Sequence, residues 1–107
     1  MKKQIYLLST LLPVLGFLFT PPALSTEADL VKAEKVYKRS CATCHGKQGE
    51  KPAMGESKII NQLKPEEIST ALSERKAGNI TGAGSPAKQR LSEQDIHNLS
   101  EYIQTLK

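Results

Sequence analysis

The sequence predicts a small all-α domain built on three main helices, and three observations lead there. Three segments place apolar residues at helical spacing, each framed by residues that start or stop helices. No segment of the mature chain reads convincingly as a strand, with apolar and polar residues alternating between turn signals. The third observation is the run Cys41-Ala42-Thr43-Cys44-His45-Gly46, in a chain with no tryptophan and only 5% aromatic residues. Its own side chains offer little bulk for a core, and this run can fix a bulky group in place.

The chain has 107 residues, one domain at most. Met1-Lys2-Lys3 is basic, Ile5 to Phe19 is an apolar run interrupted by Pro13, and Pro21-Pro22-Ala23-Leu24-Ser25 is a helix-breaking end of small residues. This order is that of a secretory signal peptide. The apolar run is shorter than the ~20 residues of a spanning helix, so cleavage is expected and stable membrane insertion afterwards is not. Ala23 and Ser25 predict a cut after Ser25, with a cut after Ala28 as second choice. The expected division is a signal peptide over 1–25 and a folded domain over 26–107.

Cleavage also changes the charge. The formal net charge is +4, from 15 basic and 11 acidic residues; loss of Lys2 and Lys3 leaves 13 against 11. The remaining charges alternate in sign as an ordinary solvated surface, so no nucleic-acid partner is expected. A mature chain of about 80 residues is close to the lower limit for a self-sufficient core.

Thr26 and Asp29 have capping-box spacing, which predicts a first helix from Glu27 to Ser40. Leu30, Ala33, Val36 and Tyr37 form its inner stripe; Lys32, Glu34, Lys35 and Lys38 face outward. Tyr37 reads as packing rather than chemistry. The helix delivers the chain into Cys41.

A C-x-x-C-H run is the attachment pattern of a c-type haem. Residues three apart sit about one helical turn apart, so the thiols of Cys41 and Cys44 can each add to a vinyl group of one porphyrin. His45 is then carried under the metal as the proximal iron ligand. A redox C-x-x-C would need a β-α-β setting that is missing. A structural zinc site needs four ligands, and beyond these three the chain offers only His97. A disulfide across so short a loop would stabilise little. Export agrees with haem attachment, which takes place outside the cytoplasm. The domain is therefore expected to wrap around one covalent haem c, which serves as the middle of its core.

From Gly46 to Gln62 the periodicity is lost. The Pro52 carbonyl, or a neighbour, is the expected acceptor for the other ring nitrogen of His45. Ala53, Met54, Ile59 and Ile60 are expected against the haem, and Ser57 and Lys58 near a propionate or in solvent. Pro65-Glu66-Glu67 opens the second helix, with Leu63 and Ile68 as its staple. Ile68, Ala71 and Leu72 form its inner stripe, Arg75 and Lys76 its last turn, and Gly78 its stop. Ala77 to Arg90 reads as a long polar connection, the kind that carries function. Ser92 and Asp95 form a second capping box, stapled by Leu91 and Ile96. Ile96, Leu99, Ile103 and Leu106 mark the inner face of the last helix, with Tyr102 beside them. His97 falls on the polar side.

Taken together, Val36-Tyr37 before the C-x-x-C-H run, Met54 to Ile60, Lys76-Ala77-Gly78, and Leu91-Ser92 with Asp95-Ile96, Leu99, Tyr102-Ile103 and Leu106 resemble class I cytochromes c. The likeness is to the small periplasmic monohaem cytochromes c. It implies a class I cytochrome c-like fold in which the first and last helices cross steeply around the haem. It also implies a methionine in the loop before the last helix as sixth iron ligand, and here the sequence departs. Gly78 to Leu91 contains no methionine, and Gly84 or a neighbour stands at the expected place. Met54, the remaining mature methionine, lies in the loop after His45. The sixth position is left open between vacancy or water, Met54 after rearrangement, and a weak donor such as Asn79, Lys88 or His97.

The function these readings imply is an exported, periplasmic monohaem cytochrome c. It would carry one electron by Fe(III)/Fe(II) cycling and meet its redox partner proteins in transient contacts. The alternative is a haem-based small-ligand binding or sensing protein with an open sixth position. No nucleophile or acid–base cluster accompanies the motif, so no independent enzymatic activity is expected.

Overall fold

The computed structural model describes residues 27–107, together with the isolated residues Pro13 and Gly16. Apart from those two, the expected signal segment and Thr26 lie outside the described residues. In chain order the described residues form α1 (Leu30–Ser40), α2 (Ala42–His45), 3-10 turns at Ala53–Gly55 and Ile60–Gln62, α3 (Pro65–Lys76), α4 (Ser85–Gln89) and α5 (Glu93–Gln104). No strand occurs among them, as an all-α class requires.

Helix α1 starts later than the expected Glu27, and its cap is Asp29 rather than Thr26. The Asp29 carboxylate accepts the Lys32 amide at 2.9 Å, which satisfies one of the free amides of the first turn. The Asp29 amide is itself taken by Asn98 Oδ1 of α5 at 2.9 Å. Ala33, Val36 and Tyr37 are buried as the periodicity requires, whereas Leu30 is 42% exposed at the helix start.

Cys41 breaks α1 from α2 with φ −121°, ψ −41° while its amide still bonds to the Tyr37 carbonyl at 2.9 Å. The short α2 then carries Cys44 and His45. Pro65 stands at the first position of α3, and the Glu67 carboxylate accepts the Lys64 amide at 2.8 Å. At the other end the Asn79 amide bonds to the Glu74 carbonyl at 3.0 Å and the Gly78 amide to the Arg75 carbonyl at 3.2 Å. This paired closure needs a left-handed residue, and Gly78 supplies it at φ 83°.

The connection expected to be irregular from Ala77 to Arg90 contains α4, a helix of five residues. Pro86 favours it, because a proline in the first helical turn gives up no intrahelical hydrogen bond. The second capping box forms as expected: the Ser92 hydroxyl accepts the Asp95 amide and the Asp95 carboxylate accepts the Ser92 amide, each at 3.0 Å.

Helix α5 packs against both α1 and α3. The buried apolar cluster is Ala33, Val36, Tyr37, Ile68, Leu91, Ile96, Leu99 and Ile103, with Leu72, Tyr102 and Leu106 packed against it. The rings of Tyr37 and Tyr102 meet at 5.6 Å between centroids with a 55° tilt, joining α1 to α5. The Lys76 amine donates to the Leu91 carbonyl at 2.5 Å, tying the end of α3 to the entry of α5.

Candidate functional site

Residues of helices α2, α3, α4 and α5 line an open cavity of about 980 Å³, which Cys41, Cys44 and His45 border. Ile60, Leu63, Ile68, Leu72, Leu91, Leu99 and Ile103 supply apolar wall. Four of these also belong to the buried cluster, so the cavity opens straight onto the core. It is at the upper end of the ~300–1,000 Å³ of ordinary ligand sites, a large space for so short a chain.

The two thiols are free and the cavity touches both. Burial pushes the Cys41 thiol up to about 11, which keeps it protonated. His45 is half-buried, and burial, followed by the charges of Lys88 and Arg75, lowers its pKa. This favours the neutral imidazole, the form that binds metals. Its Nδ1 is buried without a hydrogen-bond partner. The expected Pro52 carbonyl does not accept from it; that carbonyl takes the Gly55 amide at 2.9 Å, closing the 3-10 turn. Two free thiols, a neutral imidazole and an apolar wall around one cavity fit a covalently held haem.

The position of the C-x-x-C-H segment is set from α1. The Tyr37 hydroxyl, buried in the core, donates to the Gly46 carbonyl at 2.7 Å. Burial raises the Tyr37 phenol to about 12, so it remains a donor.

Ala53, Met54, Ser57, Lys58 and Ile60 border the cavity; Ile59 does not. Met54 is 78% exposed and sits in the left-handed region at φ 55°, within the turn that packs on α2. Asn79 lies outside the cavity wall, and its Nδ2 donates to Glu74 Oε2 at 2.9 Å. His97 is exposed and borders a separate cleft with Leu30 and Glu101. Lys88 is half-buried in the cavity wall. Burial and then the Arg75 charge lower its pKa, while the Cys41 and Cys44 sulfurs pull it the other way.

Arg75 is one of the cavity residues that the sequence reading missed, having been placed only as a cation at the end of its helix. Its Nη1 donates to the Ala71 carbonyl at 3.1 Å and its side chain borders the cavity. The signal was present, since Arg75 continues the stripe of Ile68, Ala71 and Leu72 by one more turn.

A small helical frame with a C-x-x-C-H turn at the edge of an apolar cavity has the form of a c-type haem domain. Comparison with known proteins assigns it: residues 30–107 match the cytochrome c family, and the chain belongs to that family. It is similar to cytochrome c-553 of Helicobacter pylori strain ATCC 700392 / 26695, with 43% identity over 74 residues, 68% of this chain and 77% of that protein. Cytochrome c-553 of Helicobacter pylori strain J99 is 40% identical over 74 residues, with the same coverage of 68% and 77%. Cytochrome c-554(547) of Halothiobacillus neapolitanus is 36% identical over 91 residues, 74% of this chain and 98% of that protein. Among the described residues, no helix is long and apolar enough to cross a membrane.

Proposed function

We propose that this chain is an exported monohaem cytochrome c that carries one electron between redox partner proteins. The supporting observation is the convergence of Cys41, Cys44 and His45 on one large apolar cavity. In this reading the two cysteines hold the haem as thioethers and His45 gives its imidazole nitrogen to the iron. When bound, haem c supplies the one-electron Fe(III)/Fe(II) couple.

The protein's own residues set the polarity of the site. Leu72, Leu99 and Ile103 line it with hydrocarbon, and Lys58 and Arg75 bring positive charge suited to carboxylates of the bound group. Residues 1–25 act as the signal peptide, so the mature chain begins at Thr26 in the periplasm and meets its partners in brief contacts.

Mass spectrometry of the processed protein from a host able to attach haem tests this reading. The expected mass is that of residues 26–107 plus one haem, with a single one-electron wave in a redox titration. Recovery of a chain with two free thiols would overturn it. The alternative of small-ligand binding is favoured by the absence of methionine from Gly78 to Leu91. Rapid carbon monoxide uptake by the reduced native protein would support that alternative against the simple carrier.

A further inference from the structure

Gly84 precedes α4 at φ −86°, ψ 2°, a conformation in the bridge region that needs no glycine. What stands beside it is the end of a flexible side chain. A Cβ at position 84 would stand 2.5 Å from Lys88 Nζ. The Lys88 amide bonds back to the Gly84 carbonyl at 3.3 Å, which sets the two residues one helical turn apart on the same face. The lysine amine therefore fills the start of the path that any side chain at 84 would take.

The lysine itself belongs to the cavity wall. Gly84, Lys88 and His45 all border it, but they reach it on different elements. Helix α4 packs on α3, whereas α2 packs on α1 and the Ala53–Gly55 turn. Asn79 and His97 do not border this cavity, and Met54 belongs to the turn packed beside His45.

We propose that the Lys88 amine is the second axial ligand of the haem iron, entering from the α4 wall while His45 enters from α2. The proposal rests on the haem attachment proposed above. Ligation uses the neutral amine: its proton leaves to water, the nitrogen lone pair goes to iron, and the oxidation state of iron does not change. Partial burial beside Arg75 favours that neutral form.

The test compares the processed holoprotein with Lys88→Arg, Lys88→Ala and Met54→Leu by ferric optical and electron paramagnetic resonance spectra at neutral pH. Lys88→Arg keeps length and charge but has no lone pair to give. Native protein and Met54→Leu are expected to be low-spin without the weak far-red band of methionine-sulfur ligation. Both Lys88 variants are expected to lose the low-spin signal. A high-spin native spectrum, a sulfur band lost in Met54→Leu, or an unchanged low-spin spectrum in Lys88→Arg would each overturn the proposal. A pyridine haemochrome spectrum of each denatured sample reports attachment independently of the sixth ligand. Its presence with unchanged spin overturns Lys88 ligation alone, and its absence in the native chain overturns attachment and ligation together.

Discussion

The Tyr37 hydroxyl of α1 donates to the Gly46 carbonyl at 2.7 Å, so the residue after His45 is anchored in the core by a side chain nine positions earlier. Both ends of this bond are buried. Replacing Tyr37 with phenylalanine leaves the carbonyl without this donor and is expected to cost about 1–3 kcal/mol. Denaturant unfolding of the holoprotein measures it; an unchanged midpoint would show the bond to be energetically idle. Tyr37→Ala removes the ring as well and should cost about 3–5 kcal/mol.

Asn98, in the middle of α5, holds the start of the first helix against the last. Its Oδ1 accepts the Asp29 amide at 2.9 Å and Gln94 Nε2 at 2.8 Å, while the residue is 1% exposed. Asn98→Ala should destabilise by about 1–3 kcal/mol. Hydrogen exchange should then quicken first at the start of α1. Uniform acceleration across the chain would argue against a local clamp.

Acid should loosen the start of α5. The Ser92 amide, followed by the Lys32 ammonium at 3.2 Å, holds the Asp95 carboxyl below its usual 3.8. Because the folded value is the lower one, the stabilisation is complete above the unfolded value and fades as pH falls through the folded one. Asp95→Asn should therefore flatten the decline in stability below about pH 4. Ser92→Ala, which removes the reciprocal cap, should cost about 1 kcal/mol at neutral pH. Melts across the acid range decide both.

The haem-free chain should be largely unfolded. Its buried apolar cluster is small and faces a cavity of about 980 Å³, and an unfilled space of that kind forfeits the packing that holds a core together. Cys41→Ser combined with Cys44→Ser, which prevents covalent attachment, should give poor amide dispersion and weak helical circular dichroism. A well-dispersed spectrum would show that the helices need no central group.

Much of the fold was legible because it is local. The Ser92–Asp95 box, Pro65 at the head of α3 and Gly78 at its end each involve residues within one or two turns, so sequence spacing is enough to find them. The C-x-x-C-H run is local in the same sense, since one turn of backbone brings Cys41, Cys44 and His45 to the same cavity.

What the sequence by itself determined, then, was the three main helices, most of their inner faces and the three residues suited to holding a haem. Tertiary structure decided the rest. The start of α1 moved to Leu30 with Asp29 as its cap, and the Asp29 amide bonds to Asn98, 69 residues away. Arg75 became a cavity residue, and among the three weak donors Lys88 came to the cavity wall while Asn79 and His97 did not. Local spacing fixes how a helix begins, turns and ends. Which side chains share a cavity depends on how separate helices pack, and that follows from contacts between residues far apart in the chain.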